Sequence, residues 1–189
     1  ALILFTSGTT GDPKAVVLTA GNLLASAVGS AFRLGVTPED RWLCELPAYH
    51  MGGIAPFLRS ALYGTTVVVQ ERSGGFDPDL TVANLREYDA TGISLVPTQL
   101  RRLLDAGEVP ESLRFVLLGG GPAQEELVQQ CADRGVPVCP TYGMTETASQ
   151  IATAGPREAV ENPGTVGRPL VVTDVTVVDD DGDPVEAGQ

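Results

Sequence analysis

Apolar residues fall along this chain in short bursts whose spacing switches between two periods. Ala1-Leu2-Ile3-Leu4-Phe5 is an unbroken apolar run that opens onto a Gly/Thr-rich stretch, the pattern of a buried strand. Residues 20–34 then place Leu23, Leu24, Ala27, Val28, Ala31 and Phe32 at helical spacing, with Thr19 as the predicted N-cap. Strand patterns recur at 41–46, 65–70, 93–96, 115–118 and 136–139. Helical patterns recur between them at 53–63, 79–89, 98–104 and 123–133, with Pro78 at the start of one. This alternation predicts an α/β fold with a largely parallel sheet flanked by helices. From Gly164 onward the pattern becomes strand and turn. Val171 to Val178 reads as a β-branched strand, and Asp179-Asp180-Asp181-Gly182-Asp183 as a hairpin turn, so a β-rich C-terminal tail is expected. The expected organisation is an α/β core over residues 1–163 and the start of a β-rich segment over 164–189.

Charge changes this picture little for the fold but narrows the partners. Twelve basic against 24 acidic residues give a net charge of -12, which works against nucleic acid and anionic membranes. Eleven of the twelve bases are Arg, and Lys14 is the single lysine. An acidic, lysine-poor surface resembles that of salt-adapted, haloarchaeal-like proteins; an ordinary acidic protein is the plainer alternative. No apolar run is long enough to span a membrane, so no stable membrane insertion is expected. Three cysteines, Cys44, Cys131 and Cys139, show no CxxC spacing, which argues for a reducing, cytoplasmic setting without a structural metal. The chain starts inside a strand pattern and stops without a capped end, so both termini read as cut from a longer protein.

The chemistry-bearing stretch is the loop Thr6-Ser7-Gly8-Thr9-Thr10-Gly11-Asp12-Pro13-Lys14. Glycines let backbone N–H groups approach an anion closely, and hydroxyls with an ammonium complete a phosphate cradle. It is not a Walker A loop, because Pro13 rather than Gly precedes Lys14. A Gly/Thr-rich hairpin between a strand and a helix, with no ligand, is the alternative. Gly119-Gly120-Gly121-Pro122 lies between a predicted strand and helix, where backbone can pack flat against a planar ring or simply turn. Glu146, beside Thr145, is a candidate Mg²⁺ ligand, since Mg²⁺ takes few protein carboxylates and prefers phosphate oxygens for the rest. Without its flanking residues, Glu146 reads equally as a solvated helix-start carboxylate. His50 is the only histidine.

The nine-residue loop resembles the signature phosphate loop of adenylate-forming, acyl-activating (AMP-binding) enzymes. Two further stretches resemble that superfamily's motifs in the same order. Leu46 to Gly53 contains an aromatic–His pair, Tyr49-His50, and Thr141-Tyr142-Gly143-Met144-Thr145-Glu146 is similar to the adenylate motif. The resemblance implies the core of the superfamily's large N-terminal domain. Thr6, Ser7, Gly8, Thr9, Thr10, Gly11 and Lys14 would hold the phosphates of ATP. Gly119, Gly120, Gly121, Pro122, Thr141, Tyr142 and Gly143 would hold the adenine, with Tyr142 stacked on it. Thr145 would contact the α-phosphate and Glu146 would hold Mg²⁺. His50 would line the acyl tunnel and orient a carboxylate that is already ionised near pH 7, rather than act as a base.

Within the superfamily the chain looks like the o-succinylbenzoate–CoA ligases of menaquinone synthesis. The similarity extends through Ser94-Leu95-Val96-Pro97-Thr98-Gln99-Leu100, Leu117 to Ala123 and Ser149-Gln150-Ile151. Arg59, nine residues after His50, matches an Arg near the substrate's aromatic carboxylate; a helix-surface arginine is the alternative. Ser94, Gln99 and Ser149 match positions around the same pocket. The implied reaction joins a small-molecule carboxylate to coenzyme A through an acyl-AMP, with ATP, Mg²⁺ and coenzyme A required. Another aryl- or fatty-acyl-CoA ligase, or a nucleotide-binding remnant without turnover, stays open, as does a homodimer. The ribose-binding Asp, the mobile small domain and its catalytic lysine have no match here, so these residues alone are expected not to complete adenylation.

Overall fold

In the computed structural model, residues 2–7, 12–71 and 74–185 are described. The chain opens with an antiparallel hairpin, β1 (Leu2–Ser7) and β2 (Pro13–Leu18), in which Thr6 faces Lys14 and Ser7 faces Pro13. The strand at β2 is a correction to the reading of a loop leading directly into a helix. Gly8, Thr9, Thr10 and Gly11, which follow β1 in sequence, lie outside the described residues. Helix α1 (Ala20–Leu34) begins at Thr19 as expected. The Thr19 hydroxyl accepts from the Asn22 N–H at 3.1 Å, and the Asn22 amide oxygen accepts from the Thr19 N–H at 2.9 Å. Gly35, at φ 73°, ends it with its N–H on the Ala31 carbonyl.

Strand and helix then alternate: β3 (Arg41–Cys44), α2 (Met51–Tyr63), β4 (Thr66–Val69), α3 (Pro78–Glu87), β5 (Gly92–Leu95), α4 (Pro97–Ala106), β6 (Phe115–Leu118), α5 (Glu125–Asp133) and β7 (Val138–Met144). These strands form a sheet in the order β4-β3-β5-β6-β7, parallel throughout. β6 is apolar at every position and buried on both faces, which is why it reads as a continuous Phe115-Val116-Leu117-Leu118 run. The main core, built on Leu43, Leu85, Ile93, Leu95, Leu100, Leu103, Val116 and Leu118, packs α3, α4 and α5 on the sheet.

Two antiparallel strands, β8 (Ser149–Thr153) and β9 (Arg168–Pro169), extend the sheet beyond β7, with the short helix α6 (Pro156–Glu161) between them. The pattern of apolar residues had given no sign of β8 or α6. The hairpin expected at the C-terminal end is present in reduced form. Val178 bridges Pro184, and Asp179 exchanges backbone and side-chain hydrogen bonds with Asp181, Gly182 and Asp183. The strand expected over Val171 to Val178 is not formed. Val171, Val172, Val175, Val177 and Val178 are exposed, and beyond the isolated Val178–Pro184 bridge and the Val185 N–H on the Val177 carbonyl this stretch forms no ladder among the described residues; β-propensity without a paired surface does not hold a strand. Among the described residues no helix is long and apolar enough to cross a membrane.

Candidate active site

The order of the parallel strands reverses between β3 and β5, since β4 lies outside β3 while the chain continues on the other side. Ligands in such sheets bind at the carboxyl ends of the strands, at this reversal. A cleft of about 490 Å³ opens there. Leu46 and Pro47 line it after β3, Ser94, Leu95 and Val96 at the end of β5, Gly119 and Gly120 after β6, and Thr141, Gly143, Met144 and Thr145 along β7. His50, Met51 and Arg59 of α2 and Ser149 and Gln150 of β8 complete the walls.

The α2 wall is set by a tight turn. The His50 N–H donates to the Pro47 carbonyl, and the His50 carbonyl accepts from Gly53 and Ile54 as the helix starts. Gly53 packs so closely on this turn that a Cβ would lie 2.1 Å from the Pro47 oxygen. His50 therefore stands at the cleft rim with its ring 4.6 Å from that of Tyr49. Two turns further along α2, Arg59 is fully withdrawn from water, at 2% exposure. Its guanidinium donates to the Ser149 hydroxyl at 3.1 Å and lies over the Trp42 ring, 5.4 Å from the centroid. Burial lowers its pKa from 12.5 to about 10, with the Tyr63 phenol working in the opposite direction.

The opposite wall is strained. β7 and β8 pair antiparallel with a register shift between Tyr142 and Gly143. A Cβ at Gly143 would lie 1.9 Å from the Ser149 carbonyl oxygen, so only glycine admits this bulge. Between the strands Thr145–Thr147 form a single 3-10 turn, closed by the Thr147 hydroxyl on the carbonyls of Met144 and Ser149. Ala148 at φ 55° and Ser149 at φ 111° sit where side-chain-bearing residues are rarely found. Backbone strain of this kind gathers at binding sites held by the surrounding fold. The hairpin leans on the same corner, because Leu4 and Leu18 cluster with Met51, Ala55 and Ala148. β2 thereby meets the Thr145–Thr147 turn, and Lys14 is exposed at the start of the same strand.

Of the residues singled out in the sequence, the cleft brings together His50, Arg59, Ser94, Gly119, Gly120, Thr141, Gly143, Thr145 and Ser149. Thr6, Ser7 and Lys14 lie on the β1–β2 hairpin, and Thr6 and Lys14 do not line the cleft. Gly121, Pro122, Tyr142 and Glu146 are exposed and do not line it. Gln99 is placed elsewhere: its amide oxygen accepts the Val96 N–H at 3.0 Å, closing the first turn of α4, so it caps a helix instead of facing an acyl group. Arg59 is a cleft residue rather than a helix-surface arginine. Gln150 was not singled out. It lines the cleft at 3% exposure, its Nε2 donates to the Thr153 hydroxyl at 2.6 Å, and its Oε1 has no hydrogen-bond partner among the described residues. The available signal was a long polar side chain in the otherwise apolar or small run Ile151-Ala152-Thr153-Ala154.

No cluster of three metal-binding side chains occurs among the described residues. Glu146 nevertheless fits Mg²⁺, because one exposed carboxylate next in sequence to the cleft-lining Thr145 suits an ion that takes most of its ligands from phosphates and water.

The sequence matches the AMP-binding enzyme family over residues 1–189. The chain belongs to that family. It is 44% identical over 180 residues to a 2-succinylbenzoate–CoA ligase of Bacillus pumilus, covering 95% of this chain and 36% of that protein. With the ligase of the same description from Bacillus subtilis, identity is 42% over 192 residues, 100% of this chain and 39% of the relative. The AMP-binding family member thus spans less than two fifths of these relatives' length. Its fold superposes with a TM-score of 0.92 on the B. subtilis o-succinylbenzoate coenzyme A synthetase in complex with ATP and magnesium ion, at 42% identity over 99% of this chain and 39% of that one. The same synthetase in complex with its acyl-adenylate intermediate gives 0.93, at 42% identity over 99% and 38%.

Proposed function

We propose that the protein carrying this chain is an ATP-dependent acid–thiol ligase that activates o-succinylbenzoate as acyl-AMP and passes the acyl group to coenzyme A. The observation that carries the reading is Arg59, a cation withdrawn from water yet facing the cleft. A buried cation at a pocket wall is costly unless an anion meets it there, and an aromatic dicarboxylate brings one carboxylate to react and one to be held. The relatives' substrates and the B. subtilis complexes with ATP, magnesium and the acyl-adenylate support the same assignment.

The chain's own groups suit this chemistry. Arg59 and Ser149 grip the non-reacting carboxylate, with Ser94 on the facing strand end. His50 at the rim keeps the reacting carboxylate oriented, and Met51, Leu46 and Leu95 exclude water. Gly119 and Gly120 leave room for the adenine, and Tyr142, half-exposed on β7, is free to stack on it. Thr145 meets the α-phosphate, and the hairpin's Thr6 and Lys14 meet the outer phosphates. The acyl oxygen attacks the α-phosphorus, the bond to the bridging oxygen breaks, and pyrophosphate leaves; the donors gathered there offset the leaving group's charge. Mg²⁺ bound at Glu146 would neutralise phosphate charge in this step. In the second step the thiol sulfur bonds to the acyl carbon and AMP departs. Residues 1–163 are read as the nucleotide- and acyl-binding core and 164–189 as the start of a β-rich segment. The acidic, single-lysine composition supports a salt-adapted cytoplasmic setting.

Exchange of labelled pyrophosphate into ATP by the full-length enzyme, measured across a panel of carboxylic acids, tests the assignment. o-Succinylbenzoate is expected to exceed benzoate and fatty acids by about tenfold or more, because only it pairs the buried cation. A fatty acid at the top of the panel would assign a different ligase, and no exchange with any acid would leave a binding protein without turnover.

A further inference from the structure

The ring beneath Arg59 is itself placed by a gap in the sheet. Trp42 on β3, Gly92 on β5 and Phe115 on β6 lie side by side, since Trp42 pairs with Gly92 and Gly92 with Phe115. Residues in parallel register share a face of the sheet. Gly92, the middle one, has no side chain, and a Cβ there would lie 2.2 Å from the Phe115 ring. The two aromatics therefore close over the glycine, their centroids 4.9 Å apart and their planes at 65°. Edge-to-face geometry of this kind is the favoured one for aromatic pairs.

Each ring of the pair carries an arginine, and the two differ in their company. Arg114 lies 6.0 Å from the Phe115 centroid and is neutralised by Asp40, whose two carboxylate oxygens accept from its Nη1 at 2.5 and 2.7 Å. Arg59 lies nearer, 5.4 Å from the Trp42 centroid, and its directed hydrogen bond is to a neutral hydroxyl, Ser149. Trp42 is 7% exposed, and its indole N–H makes no hydrogen bond among the described residues. A phenylalanine would fill the site without burying that donor. What tryptophan adds is the larger π face, which attracts a desolvated cation more strongly than any other aromatic side chain.

We infer that Trp42, held over Gly92 by Phe115, is a positioning residue that fixes the Arg59 guanidinium for an anionic acyl group. The inference rests on the proposed acyl role of Arg59. Trp42 touches neither substrate nor nucleotide in this account. It acts by holding the guanidinium over the ring, with Nη2 turned to the Ser149 hydroxyl at the cleft wall. A preorganised donor loses less on binding than one that must be ordered by its ligand.

The test is a double-mutant cycle in the full-length enzyme, reading KM for o-succinylbenzoate and KM for ATP separately, with thermal unfolding as a check on folding. Trp42→Leu is expected to raise the acid's KM about tenfold and leave that of ATP within about twofold, while Trp42→Phe, which keeps a weaker π face, recovers most of the loss. In an Arg59→Ala background, Trp42→Leu is expected to add nothing. If Trp42→Leu does not fold, Trp42→Phe decides, with a rise in the acid's KM of about threefold that disappears in the Arg59→Ala background. Equal effects of the Trp42 substitution with and without Arg59, equal effects on both substrates, or no effect would overturn the inference while leaving Arg59 in its role. No change in the acid's KM on Arg59→Ala alone would remove the acyl role of Arg59 and the inference with it.

Discussion

Arg59→Ala in the full-length enzyme is expected to raise the KM for o-succinylbenzoate about a hundredfold and leave the KM for ATP within about twofold. Truncating one partner of a buried charge pair typically costs about 2–5 kcal/mol, and the substrate carboxylate would be left against the apolar wall of Met51, Ala55 and Leu117 without its cation. Arg59→Lys is expected to recover only part of the loss, because an ammonium offers neither the planar fork for a carboxylate nor the face that stacks on Trp42. The affinity also depends on pH with a definite sign. Burial lowers the Arg59 pKa to about 10. The grip on the anion is complete below that value and is lost as pH rises through it, which steady-state KM values from pH 7 to 10.5 would follow. An unchanged acid KM in Arg59→Ala, or an equal rise for both substrates, would contradict the role.

The second large effect needs no substrate. Gly143→Ala places a methyl group 1.9 Å from the Ser149 carbonyl oxygen, on backbone that cannot rotate away. Relief requires the start of β8 to move, and with it Ser149 and its bond to Arg59. The expected cost is about 3 kcal/mol, the upper end for overpacking a rigid site, read as a lower urea midpoint. Gly121→Ala is the matched control. Its new Cβ would meet only Pro97 ring carbons at 3.7 Å, an ordinary contact, and its midpoint is expected to stay within about 0.5 kcal/mol of the parent. Equal midpoints for the two variants would show that the bulge relaxes easily and that strain at Ser149 is not part of the site.

Much of the framework was legible because it is local. Thr19 with Asn22 writes its own cap, and Phe115 to Leu118 is apolar on both faces because both faces are covered. The phosphate hairpin, His50, Arg59 and the Thr141–Glu146 stretch stood out by residue type and order. What stayed hidden depends on partners distant in sequence. β2 and β8 exist because β1 and β7 offer ladders, and Ser149-Gln150-Ile151-Ala152-Thr153 has too little alternation to declare a strand alone. The converse error came at Val171 to Val178, where strong β-branching found no strand to pair with among the described residues beyond the single Val178–Pro184 bridge. Gln99 looked like a pocket residue by its place in a resembling stretch, yet Pro97 at the first turn of α4 sets it to close the helix start. Trp42 is invisible to any linear reading, since its role arises where three strands put it beside Gly92 and Phe115.

The most direct test of the cleft as an acyl-adenylate site is calorimetric titration of the full-length protein with a non-hydrolysable o-succinylbenzoyl-adenylate analogue, alongside AMP. The account predicts one site, an analogue that binds at least about a hundredfold more tightly than AMP, and loss of most of that advantage in Arg59→Ala with AMP affinity unchanged, as expected when a buried cation pairs the acyl carboxylate. An analogue that binds no better than AMP, or equally well to both proteins, would contradict it.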